Sequence, residues 1–285
     1  MRDLTEQNIP EVVIETLANT KDPRLKTIMT ALVKHLHGFV REVELTEQEW
    51  MFAVEFLTDL GKKEEYILAS DTLGVSILVD AINHRKPEGA TESSVLGPFY
   101  LEGVPVKEPF ANIAEGSETE PTFVTGRVTD PAGKPLNGAL LDIWQTAEDG
   151  LYDLQHPDFK EFNLRGKFLT DKDGRYSFRT VMPRKYGIPI GGPVGRMFKA
   201  LGRHHFRPAH IHFKVSADGY VPLTTMIFPE GADYLDSDAV FGVKDSLVTE
   251  FVRHDTEGEV EGIPVKPPYY TVNYDFGLKP ADKEA

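Results

Sequence analysis

Along the first hundred residues the apolar positions recur at helical spacing. Between Arg24 and Val40, the residues Leu25, Ile28, Met29, Leu32, Leu36 and Phe39 fall three and four apart, which places them on one stripe of a helix. Thr46-Glu-Gln-Glu49 reads as a capping box, in which Thr46 can cap the backbone and Glu49 can reach back to it. A second stripe follows at Trp50, Ala53, Phe56, Leu57 and Leu60, with Gly61 as the expected stop. A third helical stretch runs from Lys63 to Asn83. Between Gly89 and Pro121 the chain becomes rich in Pro and Gly, so a connecting segment is expected there. Beyond it the period changes to two. Phe123 to Thr129 alternates, Asp130-Pro-Ala-Gly-Lys-Pro135 is a turn, and Ala139 to Gln145 supplies another apolar run. Within Lys167 to Phe178, Asp171-Lys-Asp-Gly174 is a hairpin signal. The pattern predicts a mainly β fold with a helical N-terminal region: helices over 1–100, a linker over 101–121 and a β-sandwich over 122–285.

Composition narrows the function classes. The net charge of -14 repels phosphate backbones and anionic headgroups, which argues against a nucleic-acid partner. Nowhere do eighteen apolar residues run together, so no membrane insertion is expected. The first residues carry charges throughout and lack the apolar stretch of a secretory signal, so the cytoplasm is the expected location. With no cysteine, thiolate metal sites, iron–sulfur clusters, disulfides and cysteine nucleophiles fall away together. Any metal must be held by His, Tyr, Asp or Glu.

The stretch Gly202-Arg-His-His-Phe-Arg-Pro-Ala-His-Ile-His-Phe-Lys-Val-Ser216 carries the strongest chemical signal. From Ala209 onward it alternates, with Ala209, Ile211, Phe213 and Val215 on one face and His210, His212, Lys214 and Ser216 on the other. Two imidazoles thus project side by side, as a strand chelating a metal requires. By residue type alone the metal stays open. A third imidazole from His204 or His205 would suit zinc, a carboxylate such as Asp218 would suit ferrous iron, and phenolates would suit ferric iron.

Further motifs precede this strand in order: Gly150-Leu-Tyr152-Asp, Glu161-Phe-Asn-Leu-Arg-Gly166, Thr170-Asp-Lys-Asp-Gly-Arg-Tyr-Ser-Phe178, and Pro183-Arg-Lys-Tyr186-Gly-Ile-Pro189. Together with Arg207-Pro-Ala-His-Ile-His212, this ordered set closely resembles the intradiol ring-cleavage dioxygenases of the catechol 1,2-dioxygenase type. The resemblance spans roughly residues 60 to 255. It implies a β-sandwich carrying one Fe(III) per subunit, held by Tyr152, Tyr186, His210 and His212, and coloured wine-red by phenolate-to-iron charge transfer. It also implies a small aromatic diol or triol and O2 as substrates, with both oxygen atoms entering a muconic acid. Tyr186 would act as a base for the substrate, and Arg207 would stabilise negative charge on the substrate ring. The family further implies a homodimer formed through the N-terminal helices, with a phospholipid bound at the dimer interface. One departure stands out: catechol-specific members commonly read Leu-Thr-Thr-Gln after the histidine strand, and here the text is Leu223-Thr-Thr-Met226. A thioether cannot donate the hydrogen bonds of an amide.

Within the family, Leu68, Asp71, Val95, Leu96, Gly97, Pro98, Phe99, Ile188, Pro189 and Val240 resemble the substrate-pocket pattern of enzymes acting on hydroxyquinol (benzene-1,2,4-triol). A carboxylate at Asp71 can accept a hydrogen bond from the third hydroxyl and would be left partly unsatisfied by plain catechol. The expected product is 3-hydroxy-cis,cis-muconate, the tautomer of maleylacetate. Catechol or chlorocatechol is the alternative substrate. Two readings from other classes are a non-catalytic transthyretin-like sandwich that binds a diol, and a zinc hydrolase using His205, His210 and His212.

Overall fold

A computed structural model describes residues 3–116, 119–156 and 162–281. The chain divides into two compact units, Met1–Lys63 and Glu64–Ala285.

The first unit is helical, with α1 (Ile9–Glu15), α2 (Pro23–Glu42) and α3 (Glu47–Lys63). Asp22 caps α2, its Oδ1 accepting from the backbone of Arg24 at 2.8 Å and of Leu25 at 3.2 Å. The Thr46–Glu49 box forms reciprocally: Thr46 N donates to Glu49 Oε2 at 3.0 Å and Glu49 N to Thr46 Oγ1 at 3.3 Å. Gly61 does not end the helix as expected. One glycine costs a helix interior only about 1 kcal/mol, and α3 continues to Lys63, where Glu64 turns left-handed with φ 56°. The apolar stripe of α2 stays open, with Leu25, Ile28, Leu32, Leu36 and Phe39 between 46% and 53% exposed.

The second unit opens with two helices where one was expected, α4 (Tyr66–Thr72) and α5 (Val75–Asn83). Gly74, at φ 74°, breaks the stretch, and the two axes bend by 77°. Among the described residues no single helix is long and apolar enough to cross a membrane. Among the described residues, fourteen strands and one α-helix follow, besides short 3-10 turns: β1 (Pro121–Thr129), β2 (Leu140–Gln145), β3 (Arg165–Leu169), β4 (Arg175–Val181), β5 (Tyr186–Gly187), α6 (Pro193–Ala200), β6 (Phe206–Arg207), β7 (Ile211–Ser216), β8 (Leu223–Pro229), β9 (Val248–Thr249), β10 (Val252–His254), β11 (Gly258–Val260), β12 (Ile263–Val265), β13 (Tyr269–Asn273) and β14 (Phe276–Gly277).

Two five-stranded sheets make the sandwich. One runs β10-β13-β1-β14 with β4 also on β1, and the other runs β3-β2-β7-β8-β9. Their inner faces share one core, to which Val124, Val128, Phe178 and Phe276 contribute from the first sheet and Leu141, Ile143, Ile211, Phe213 and Val215 from the second. The Asp171–Gly174 turn forms, with Asp171 Oδ1 accepting from the backbone of Asp173 and Arg175 at 2.9 and 2.8 Å. It is not a hairpin turn. The strands it joins enter opposite sheets, β3 pairing with β2 and β4 with β1. Their core-facing residues Phe168 and Phe178 then meet across the space between the sheets, ring centroids 5.5 Å apart.

The period-two alternation places Leu141, Ile143, Phe213 and Val215 in the core and sends their neighbours to the other face of the second sheet. Strand register then aligns Trp144 on β2 with His212 on β7 and Met226 on β8 in one row. A two-stranded ladder pairs Tyr186 on β5 with Arg207 on β6. These rows position the candidate site.

Candidate active site

Tyr152 follows Gly150, whose φ of 80° and lack of a side chain let the backbone pass Lys185 O; a Cβ there would lie 2.9 Å from that oxygen. This brings the segments of the two tyrosines together, their rings edge-on at 5.5 Å. Gln155 closes the turn after Tyr152, its Oε1 accepting from Tyr152 N at 3.0 Å. Beneath it Arg165, 1% exposed, grips Asp153 with Nε at 2.9 and 2.8 Å from the two carboxylate oxygens and Nη2 at 2.5 Å. Removing one partner of a buried pair strands the other charge. Arg165→Met is therefore expected to cost about 3 kcal/mol of stability, read as a drop in Tm. Adding Asp153→Leu should return most of it.

Four side chains converge. Tyr152 Oη lies 3.1 Å from His212 Nε2 and 3.4 Å from His210 Nε2, and the two Nε2 atoms are 3.1 Å apart. Tyr186 turns its ring toward His210, centroids 5.7 Å apart, and its Oη faces Arg207 Nη1 at 3.4 Å. Pro208 O, which can only accept, lies 2.7 Å from His210 Nδ1. Nδ1 therefore carries the hydrogen, and Nε2 presents a lone pair to the cluster. His212 lies flat against Trp144, centroids 4.6 Å apart and planes within 8°.

Burial dominates the electrostatics. It pushes the Tyr152 phenol well above its ordinary range, reinforced by Tyr186 alongside. Burial, with the charge of Arg207, holds His210 down to about 3. Burial, then His210 and Arg207, holds His212 well below its ordinary value. Both imidazoles are thus neutral and able to donate a lone pair. Burial opposes the charge of Arg207, but Asp238 and Tyr186 outweigh it and keep the guanidinium protonated. Asp238 is held below its ordinary value because Arg207 overcomes the desolvation of its carboxyl.

Among the described residues no group of three or more His, Asp or Glu is placed to hold a metal ion. The third imidazole or carboxylate required by the zinc and ferrous alternatives is not brought to His210 and His212. His204 accepts from Phe206 N at 3.2 Å and packs on Tyr234, while His205 packs on Phe206 and over Gly187. A metal at this cluster needs the phenols. Two phenols and two neutral imidazoles fit a hard, highly charged cation such as iron(III), which can displace the phenolic protons that burial otherwise retains.

Comparison with known proteins decides the family. The family model described as "Dioxygenase" matches residues 95–280, and "Catechol dioxygenase N terminus" matches residues 22–91. This chain belongs to the intradiol ring-cleavage dioxygenases. It is 47% identical to hydroxyquinol 1,2-dioxygenase of Rhizobium sp., covering 96% of this chain and 95% of that one. It is 45% identical to 6-chlorohydroxyquinol 1,2-dioxygenase of Cupriavidus pinatubonensis, over 98% and 99%. Among solved structures, hydroxyquinol 1,2-dioxygenase from Pseudomonas putida superposes with a TM-score of 0.92 at 46% identity, over 97% and 99%. Catechol 1,2-dioxygenase from Acinetobacter sp. gives 0.80 at 30%, over 96% and 92%. Non-haem iron is the cofactor of this family.

The expected pocket residues of this intradiol dioxygenase separate into groups. Phe99 stacks on Tyr152 at 4.3 Å, and a Cβ on Gly97 would sit 3.5 Å from His212 Cε1, so this loop closes over the cluster. Val95 and Val240 are buried in one apolar cluster with Met226. Asp71, 7% exposed, lies within electrostatic range of Arg207 and Asp238; burial raises its carboxyl, while a hydrogen bond from Ser76 and the charge of Arg207 act against that. Ile188 is buried, Leu68 half-buried, and Leu96, Pro98 and Pro189 are exposed. Glu161 lies outside the described residues.

Three residues of this surrounding were missed in the sequence: Trp144 under His212, Arg165 under Tyr152, and Asp238 on Arg207. Arg165 and Asp238 stand on different elements from the groups they hold. No local spacing signals such pairs. Trp144 was within reach, since it sits at a core-like position of an apolar run with an indole to place.

Proposed function

We propose that this dioxygenase is a cytoplasmic enzyme that cleaves hydroxyquinol with O2 to 3-hydroxy-cis,cis-muconate, using one Fe(III) per subunit held by Tyr152, Tyr186, His210 and His212. The observation that carries the metal reading is the convergence of Tyr152 Oη and the Nε2 atoms of His210 and His212 within 3.1–3.4 Å of one another, with the Tyr186 ring 5.5 Å from that of Tyr152 and 5.7 Å from that of His210. For the substrate it is the buried carboxylate of Asp71 near Arg207, in keeping with the names of the hydroxyquinol-cleaving relatives.

Bound there, iron(III) supplies the Lewis acidity that favours an ionised diol and the redox path by which the ring reaches O2. The chain's own groups do the rest. Tyr152, with its turn fixed by Gln155 and the Arg165–Asp153 pair, remains in place throughout. Tyr186 rides on a two-residue strand, and its Oη takes the proton of one substrate hydroxyl. Arg207 Nη1, 3.4 Å from that oxygen, offsets negative charge developing on the ring. Phe99 and Gly97 exclude water above the ring plane. Asp71 accepts a hydrogen bond from the third hydroxyl and so selects it. Both atoms of O2 enter the product as the bond between the two hydroxylated carbons breaks, and no external reductant is consumed.

The test is oxygen uptake with hydroxyquinol, catechol and 4-chlorocatechol. Hydroxyquinol should give the highest kcat/KM, and Asp71→Ala should lower the hydroxyquinol-to-catechol ratio roughly tenfold or more, the usual effect of unpairing a buried polar group. Catechol as the best substrate together with an unchanged ratio in Asp71→Ala would sink the substrate assignment. Absence of uptake by iron-loaded protein would favour the non-catalytic diol-binding alternative.

The reading also includes a homodimer through the helices of the first unit. The half-exposed apolar stripe of α2 supports it, since a stripe of that length is ordinarily covered. A phospholipid chain at the interface is supported by a cavity of about 440 Å³ lined by Ile9, Pro10, Val40, Leu45 and Trp50.

A further inference from the structure

Arg207 is 2% exposed, and its contacts leave its guanidinium one aim. Nε donates to Asp238 Oδ1 at 3.0 Å and Nη2 to Asp238 Oδ2 at 3.2 Å, with Met226 Sδ 3.3 Å from the same Nη2. The remaining nitrogen, Nη1, faces Tyr186 Oη and His210 Nε2, each 3.4 Å away. A planar fork gripped along one edge has its free corner directed.

The gripping carboxylate is itself held by the turn that follows it. Val240 N donates to Oδ1 at 3.3 Å and Gly242 N to Oδ2 at 2.8 Å. Gly242 occupies a point with no room for a side chain: a Cβ would lie 2.9 Å from Arg207 Nη2, 3.1 Å from Asp238 Oδ2 and 3.1 Å from Ser94 Oγ. Ser94 Oγ donates to Gly242 O at 2.7 Å, tying the turn to the loop that begins at the other apolar wall residue, Val95.

We propose that Asp238 is a positioning residue whose carboxylate, held by the backbone of Val240 and Gly242, sets the direction of Arg207 Nη1. This rests on Arg207 acting on the substrate as proposed above.

The experiment is a double-mutant cycle on the iron-loaded enzyme, reading kcat and KM for hydroxyquinol, iron content and the visible absorption band. Asp238→Asn should lower kcat roughly 10- to 100-fold, the range seen when an orienting partner is removed, with KM within about threefold and iron and band unchanged. Asp238→Glu, which restores the charge, should recover part of the kcat. In an Arg207→Gln background, adding Asp238→Asn should change kcat by less than about threefold, because the group it acts through is gone. Gly242→Ala, which spreads the pair without removing a charge, should give the same loss alone and none in that background. The single Asp238→Asn chain has an unpaired buried guanidinium; should it fail to fold, the Asp238→Glu and Gly242→Ala comparisons carry the test. Near-wild-type kcat in the folded single variants, or an equal fold-loss with and without Arg207, overturns the inference alone. Normal kcat in Arg207→Gln itself overturns the reading of Arg207, and this inference with it.

Discussion

Tyr152→Phe is expected to weaken and shift the wine-red absorption of the iron-loaded enzyme, leaving only the contribution of Tyr186, and to lower kcat/KM for hydroxyquinol by roughly 10³-fold or more, an effect of the size that follows loss of a group acting directly on the reacting centre. The substitution removes a single oxygen from a residue that is 1% exposed, so the packing against Phe99 and Tyr186 persists. What disappears is the Oη that lies 3.1 Å from His212 Nε2 and 3.4 Å from His210 Nε2. With one anionic donor fewer, a trivalent cation is both less neutralised and less tightly held. Iron content per chain should fall together with the absorption, while far-ultraviolet circular dichroism stays as in the wild type. Full iron occupancy with the absorption band intact would rule Tyr152 out as a ligand.

Arg207→Gln is the second large effect. Here kcat should fall on the order of 10²- to 10³-fold, as when a preorganised donor to developing negative charge is removed, while iron content and colour are retained. That combination separates it from a ligand loss. The variant also leaves Asp238, 4% exposed, without its counter-charge, so Tm should drop as well. Arg207→Lys should not restore the rate. An ammonium is one point of charge and cannot grip both oxygens of Asp238 while reaching Tyr186, as the fork does at 3.0, 3.2 and 3.4 Å. An Arg207→Gln enzyme with kcat within threefold of wild type would remove this residue from the reaction.

The departure at Met226 acquires a physical meaning from the same contacts. A thioether offers no donor, yet the buried guanidinium beside it is not left unsatisfied, because Asp238 takes two of its nitrogens. Met226 contributes its sulfur to Arg207 Nη2 and its side chain to the apolar wall with Val95 and Val240.

How much was legible beforehand depends on the range over which each feature is determined. The alternation around His210-x-His212 follows from the backbone of a strand, and so do the core positions Ile211, Phe213 and Val215. The capping box at Thr46 and the turn at Asp171 are equally local, closed by side chains two to four residues away. What the Asp171 turn connects is not local. Whether β3 and β4 pair with each other or enter opposite sheets depends on which surfaces bury most apolar area, a comparison over the whole sandwich. The break at Gly74 was hidden because an isolated glycine is tolerated within a helix as readily as it ends one, as Gly61 shows in α3.

By itself, then, the sequence determined the two periodicities, the division into a helical beginning and a β remainder, the donor types open to a metal in a chain without cysteine, and through its ordered motifs the family. Those are properties of short segments and of composition. Tertiary structure alone decided that Trp144 lies under His212, that Arg165 braces the turn of Tyr152, and that Asp238 grips Arg207. Each of these pairs joins residues separated by 12 to 68 positions, brought together by strand register and turn geometry, and burial then makes each polar contact costly to lose.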